Sequence, residues 1–404
     1  MNKSVFKRFL VCLSAAAVAI SCCAGSVSAS GGTSISVQKA VQAESKEALP
    51  QELETLSAQS YILTEMQTGT VLFEKNSDKK LCPGHFSKLM TLLLLVEQIE
   101  SGKIAVSDLF TATDKANSQG DPQIWLDKGE KISVDELIKA VTVGNANDAA
   151  VTVAENICTG ETKFVEKMNE KAKKLGMVNT AFRDSTGVDE ANVTTARDLS
   201  RLCAELSKHE MLTPYLKTWL VNVRSGRAEL VNQNRLVRNY PGITGMKAFS
   251  SKKDGSSGCI TANKSKMQLC AIVLGCADND KRDADIKTLM KCGAESFQLY
   301  SPQVPEELLK SIAVTGGESL ECEVEVQGEP LVIIKRGSAS ELKVRTETTD
   351  LLEAPVSKGQ ICARFILEHD KKCVCTVNIV SRQNVRKMNW LCGVKKLLYN
   401  LIKL

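Results

Sequence analysis

Pro83-Gly84-His85-Phe86-Ser87-Lys88-Leu89-Met90-Thr91 is the stretch on which the fold reading turns. A helix is expected from Phe86 to Glu100, stopped by Ser101-Gly102. The run Leu92 to Val96 is too continuous for a surface helix, so this helix belongs inside a domain. His85 and Lys88, one helical turn apart, then stand at the entrance of a buried helix. A lysine placed there needs an acceptor.

Outward from this helix the pattern is mixed. Ser60 to Met66 and Thr70 to Lys75 read as strands joined by the hairpin signal Gln67-Thr68-Gly69. Ser133-x-x-Glu136 is a capping box opening a helix through Ala140. Helices are expected at Ala149 to Cys158, Thr162 to Leu175 and Thr195 to Ser207. Gly258 to Asn263 and Leu269 to Leu274 return to strand chemistry, and Ile286 to Tyr300 reads as a closing helix. Strand pair, helical insert, more strands and a final helix describe an α+β domain with a largely antiparallel sheet. After Pro302 the pattern becomes short alternating strands, as in Glu321-Cys322-Glu323-Val324-Glu325-Val326, which is a small all-β domain of sandwich type.

The ends carry other signals. Lys3, Lys7 and Arg8 precede an apolar run, Phe9 to Ile20, that is too short to span a bilayer. This is a secretory signal peptide ending near Val27-Ser28-Ala29, and it implies export. Ser21-Cys22 is the competing lipoprotein-type site, disfavoured by Ala19. From Arg382 to Leu404 there are basic residues and no acidic one, with Met388, Leu391, Val394, Leu398, Leu401 and Ile402 at helical spacing. A basic amphipathic helix with Trp390 and Tyr399 suits the interface of an anionic membrane. The expected segments are 1–29 signal peptide, 30–55 linker, 56–301 α+β domain, 302–382 β domain and 383–404 membrane-associating helix. With 52 basic and 47 acidic residues, the chain has no basic stripe for nucleic acid. Its fifteen cysteines contain no C-x-x-C, so they read as small buried hydrophobes, and no metal or cofactor is expected.

Several segments, in order, resemble the D-alanyl-D-alanine carboxypeptidases, the low-molecular-mass penicillin-binding proteins. Thr68-Gly69-Thr70-Val71-Leu72-Phe73-Glu74 looks like their early hairpin, and Asn147-Asp148-Ala149-Ala150 their N-D-A-A segment. Leu175-Gly176-Met177-x-Asn179-Thr180-x-Phe182, Thr194 to Leu199 and Tyr240 to Lys247 match further stretches. The opening segment is similar to their P-A-S-x-T-K-L-M-T. The resemblance covers about 58–300 closely, and it implies a β-lactamase/transpeptidase-like domain and a peptidoglycan stem peptide as the molecule recognised.

The chemistry implied by that resemblance needs three elements around one groove. In S-x-x-K a serine attacks and the lysine takes its proton. Here the segment reads His85-Phe86-Ser87-Lys88, with His85 in the nucleophile position and Lys88 in that of the base. In S-x-N the serine relays protons and the asparagine holds the substrate amide. Here it reads Asn145-Ala146-Asn147. In K-T-G the lysine and threonine hold a carboxylate, and glycine leaves the edge strand bare. Here it reads Lys247-Ala248-Phe249, which places a ring where the groove requires no side chain. Loss of nucleophile, relay and clamp together implies a serine-peptidase relative that has abandoned turnover and keeps a binding or scaffold role. The alternative is an active carboxypeptidase whose nucleophile has shifted to Ser87 or Ser250.

Overall fold

A computed structural model describes residues 49–390, apart from 371, and residues 393–394. The expected signal peptide and the far end of the tail lie outside the described residues. Strands β1 (Ser60–Glu65) and β2 (Thr70–Lys75) form the expected hairpin, with Gly69 taking the left-handed turn position at φ 70°. They join β3 (Ile243–Ser251), β4 (Gly255–Lys264) and β5 (Met267–Cys276) in one sheet of order β2-β1-β5-β4-β3. Every pairing in it is antiparallel. β3 is therefore an edge.

The helix of the opening segment, α1 (Ser87–Glu100), is buried from Ser87 to Val96, preceded by a short 3₁₀ turn at Gly84–Phe86. Helices α2 (Val134–Thr142), α3 (Asn147–Ile157) and α4 (Glu161–Lys174) make the helical insert, and α5 (Ala196–Leu206) packs on the sheet. The expected N-cap forms: Ser133 Oγ accepts from Glu136 N at 3.2 Å and donates to Glu136 Oε2 at 3.1 Å, in place of the reciprocal backbone bond of a full capping box. One large core lies on this side of the sheet, with Leu89, Leu93, Leu137, Val153, Leu199 and Met246. A second lies on the other side under α6 (Asn279–Ser296), with Tyr61, Ala248, Ile260 and Leu289.

Three expectations change. The stretch assigned to a linker contains a helical turn, Gln51–Glu54, because Leu53 is fully buried in the second core. The closing helix starts earlier, capped by Asp278, and ends at Ser296. Phe297–Tyr300 is instead a strand, β6, antiparallel to Val332–Lys335 (β7). The all-β part therefore begins at 297 rather than 302, and Phe73 meets Phe297 edge-to-face at 5.5 Å.

The rest of the β part holds a three-stranded and a four-stranded sheet, each with a small core of its own. Residues 383–388, expected as the start of the tail helix, are extended and docked on it. Val385 bridges Val356 and Met388 N donates to Gly316 O. Burial of Val385 explains the difference, since its side chain completes the core of Val314, Cys322 and Leu352. The cysteines among the described residues are free, and most are buried as expected, whereas Cys373 is exposed and Cys82 half-buried.

Candidate functional site

α1, the α2–α3 connection and β3 meet at one point, and all three expected elements are there. Lys88 is fully buried, and Nζ donates to Asn147 Oδ1 at 2.6 Å and to Thr186 O at 2.8 Å. Asn147, not Asn145, is thus the amide partner of Lys88. Nζ also lies 3.0 Å from His85 Nδ1. Burial, then the Lys88 charge and the Lys247 charge, push His85 down to about 2, so the ring is a neutral imidazole. Burial, and next the Lys247 charge, hold the Lys88 ammonium well below the usual lysine range. The contact between them follows the charge on the amine. An ammonium donates to Nδ1, whereas a neutral amine accepts from it.

Lys247 is also fully buried, and burial pushes it down to about 7. Its Nζ donates to Val141 O and Asn145 Oδ1, each at 2.5 Å, and to Thr142 O at 3.3 Å. The two carbonyls are at the C-terminus of α2, where helix carbonyls lack internal partners and a cation is favoured. Asn145 occupies the α2–α3 connection at φ 56°, a left-handed conformation that asparagine tolerates better than serine. Its amide nitrogen donates to Ala248 O at 3.2 Å, so one side chain grips both Lys247 and the strand edge. Asn147 is equally occupied, donating to Gly120 O and Asp121 O at 2.8 and 3.1 Å.

Phe249 is 2% exposed and packs edge-to-face on His85 at 5.4 Å and on Phe86 at 4.8 Å. The ring has room because residue 84 is glycine. A Cβ on Gly84 would lie 2.5 Å from the Phe249 ring. The related pattern has alanine at that place and glycine at 249, so the two departures compensate each other sterically. Sequence reasoning left Gly84 unremarked, although the missing methyl was the available signal. It could not have found Thr186, Val141 or Thr142, because they act through backbone carbonyls, which carry no residue-type signature.

The two shifted-nucleophile serines are misplaced. Ser87 Oγ is fully buried without a hydrogen-bond partner, facing Gly187, and a Cβ on Gly187 would lie 1.8 Å from Gly84 O. Ser250 is exposed on β3, but strand alternation puts it with Ala248 on the face opposite Lys247 and Phe249. What remains is a closed site. Its two amines are saturated by internal oxygens, and its edge strand is gripped by Asn145 and covered by Phe249.

A family model described as D-alanyl-D-alanine carboxypeptidase matches residues 43–278, and one for the C-terminal domain of penicillin-binding protein 5 matches 297–387. D-alanyl-D-alanine carboxypeptidase DacF of Bacillus subtilis is 30% identical over 346 residues, covering 84% of this chain and 88% of that protein. DacC of Escherichia coli is 28% identical over 345 residues, covering 83% and 86%. Among solved structures, penicillin-binding protein 5 of Haemophilus influenzae superimposes with a TM-score of 0.76 at 25% identity, over 84% of this chain and all of that one. Penicillin-binding protein D2 of Listeria monocytogenes, in an ampicillin-bound form, matches at 28% identity and TM-score 0.52 over 59% of this chain and 98% of its own.

Proposed function

Since the chain belongs to the D-alanyl-D-alanine carboxypeptidase family, we infer that it is an exported cell-wall protein that keeps the family scaffold without the family's turnover. The observation that carries this is the joint state of the site. Among the described residues no serine side chain hydrogen-bonds Lys88, and both lysines are satisfied internally. Phe249 fills the edge-strand position that the family leaves to glycine. A stem peptide adding to β3 would have to break the Asn145–Ala248 bond and expel the ring. Recognition of stem peptides through Asn147 and Lys247 is therefore vestigial, and the role is one of binding or placement.

Placement is assigned to the termini. The N-terminal segment directs export, and the basic tail beyond Met388 rests on an anionic membrane face. Among the described residues no helix is long and apolar enough to cross a membrane.

The test is incubation with a fluorescent penicillin followed by intact-mass spectrometry and peptide mapping. The expected result is no covalent adduct after prolonged exposure, with an active family member labelled in parallel. A stoichiometric adduct on Ser87, Ser250 or any other serine would overturn the loss of turnover. Release of D-alanine from a stem-peptide mimic that disappears in His85→Ala would do the same through the imidazole.

A further inference from the structure

Trp125 projects from the loop between the short helix Asp114–Asn117 and the strand Lys131–Ser133, with 59% of its surface exposed. Its backbone is left-handed at φ 57°, a conformation that a bulky aromatic rarely adopts and that must be imposed by its surroundings. The surroundings do impose it. Ile124 and Leu126, on either side, are fully buried. Their N–H groups each donate to the buried Asp148 carboxylate at 3.0 Å. Arg224 Nη1 donates to Ile124 O and Asn117 Nδ2 to Leu126 O, both at 2.8 Å. The chain is pinned on both sides of the indole, and more than half of the residue's surface is left in water, where it contributes nothing to the fold. A rigid, strained support for an unburied aromatic is a feature of recognition rather than of stability.

The position and the neighbours narrow the ligand. Gly120 and Asp121 belong to the same loop, and their carbonyls hold Asn147, the amide that grips Lys88. Trp125 therefore stands on the loop whose backbone also holds Asn147. Asp121 and Asp127 flank it in sequence, both exposed, with Asp127 Oδ2 3.4 Å from Arg224 Nη2. Carboxylates beside an aromatic face suit a neutral ring that offers C–H groups to the indole and hydroxyl or amide N–H groups to the acids. They disfavour an anionic lipid surface.

We propose that Trp125 is a stacking platform for an N-acetylated amino-sugar ring of the peptidoglycan glycan strand. The chain thus holds the wall by its sugar backbone while the peptide groove stays shut. The identity of the sugar rests on the cell-wall reading above.

The test is calorimetric titration of the full chain with peptide-free glycan strands, using wild type, Trp125→Ala and Trp125→Phe. Co-sedimentation with intact peptidoglycan is measured in parallel. Expected are glycan binding by the wild type, a loss of about tenfold or more in Trp125→Ala, and near-wild-type affinity in Trp125→Phe. Unfolding temperatures should change little, because more than half of the residue is exposed. Equal affinities of wild type and Trp125→Ala, or no glycan binding by the wild type, overturn the proposal. If intact peptidoglycan still binds in either case, the cell-wall reading survives. If the wild type binds neither glycan, stem peptide nor intact peptidoglycan, that reading falls as well.

Discussion

His85 stands at the position that the motif resemblance gives to the nucleophile, and burial there suppresses its charge. It is a neutral ring wedged between Lys88 and Phe249. Its proton affinity is the property most altered by folding. The unfolded chain protonates this histidine below about 6.5, whereas the folded chain does so only near 2. Between those values the unfolded state binds the extra proton, so the native state loses stability as pH falls, by up to about 1.4 kcal/mol per pH unit. Urea unfolding of wild type and His85→Gln at pH 6.5 and 4.5 should show the wild type losing more stability over that interval. Equal losses would mean that the ring titrates normally. His85 as an oddity was legible in the sequence. The coordination of Gly84 with Phe249 was not, because residues 165 positions apart meet only when β3 is laid beside the first turn of α1.

Helix ends do much of the work in closing the site. The C-terminal carbonyls of α2 receive Lys247, Asn145 turns the chain in left-handed geometry, and α3 begins at Asn147. The position of α2 depends on its cap. Ser133→Ala should cost about 1 kcal/mol in urea unfolding, since it removes the side-chain acceptor of Glu136 N. An unchanged midpoint would show the cap to be dispensable. Element types were readable for most of the catalytic-type domain, because caps, hairpin signals and periodicity are local. The exception is instructive. Phe297–Tyr300 continued a helical pattern and became a strand because Val332–Lys335 offered it a ladder, a partner some thirty-five residues away.

For the molecule as a whole, the boundary between the β part and the tail decides how the tail can be tested. Residues 385–388 pair with the β part, so a truncation at 383 would strip Val385 from a core. Removal of 389–404 leaves that core intact. It should release the protein from vesicles rich in anionic lipid while leaving thermal unfolding unchanged, and undiminished vesicle binding by the truncated chain would refute the membrane assignment. The sequence by itself determined the family and the α+β class and marked three segments that depart from the motifs they resemble, because those depend on residue identity and local spacing. Only the tertiary structure decided that the departures act together. Asn145 bonds to Lys247 and Ala248, Asn147 holds Lys88, and the Phe249 ring fits where Gly84 lacks a methyl. Those contacts join segments about sixty to one hundred and sixty-five residues apart. The fit of a ring into a missing methyl, and of buried amines onto backbone carbonyls, is a matter of packing in three dimensions, which no local pattern encodes.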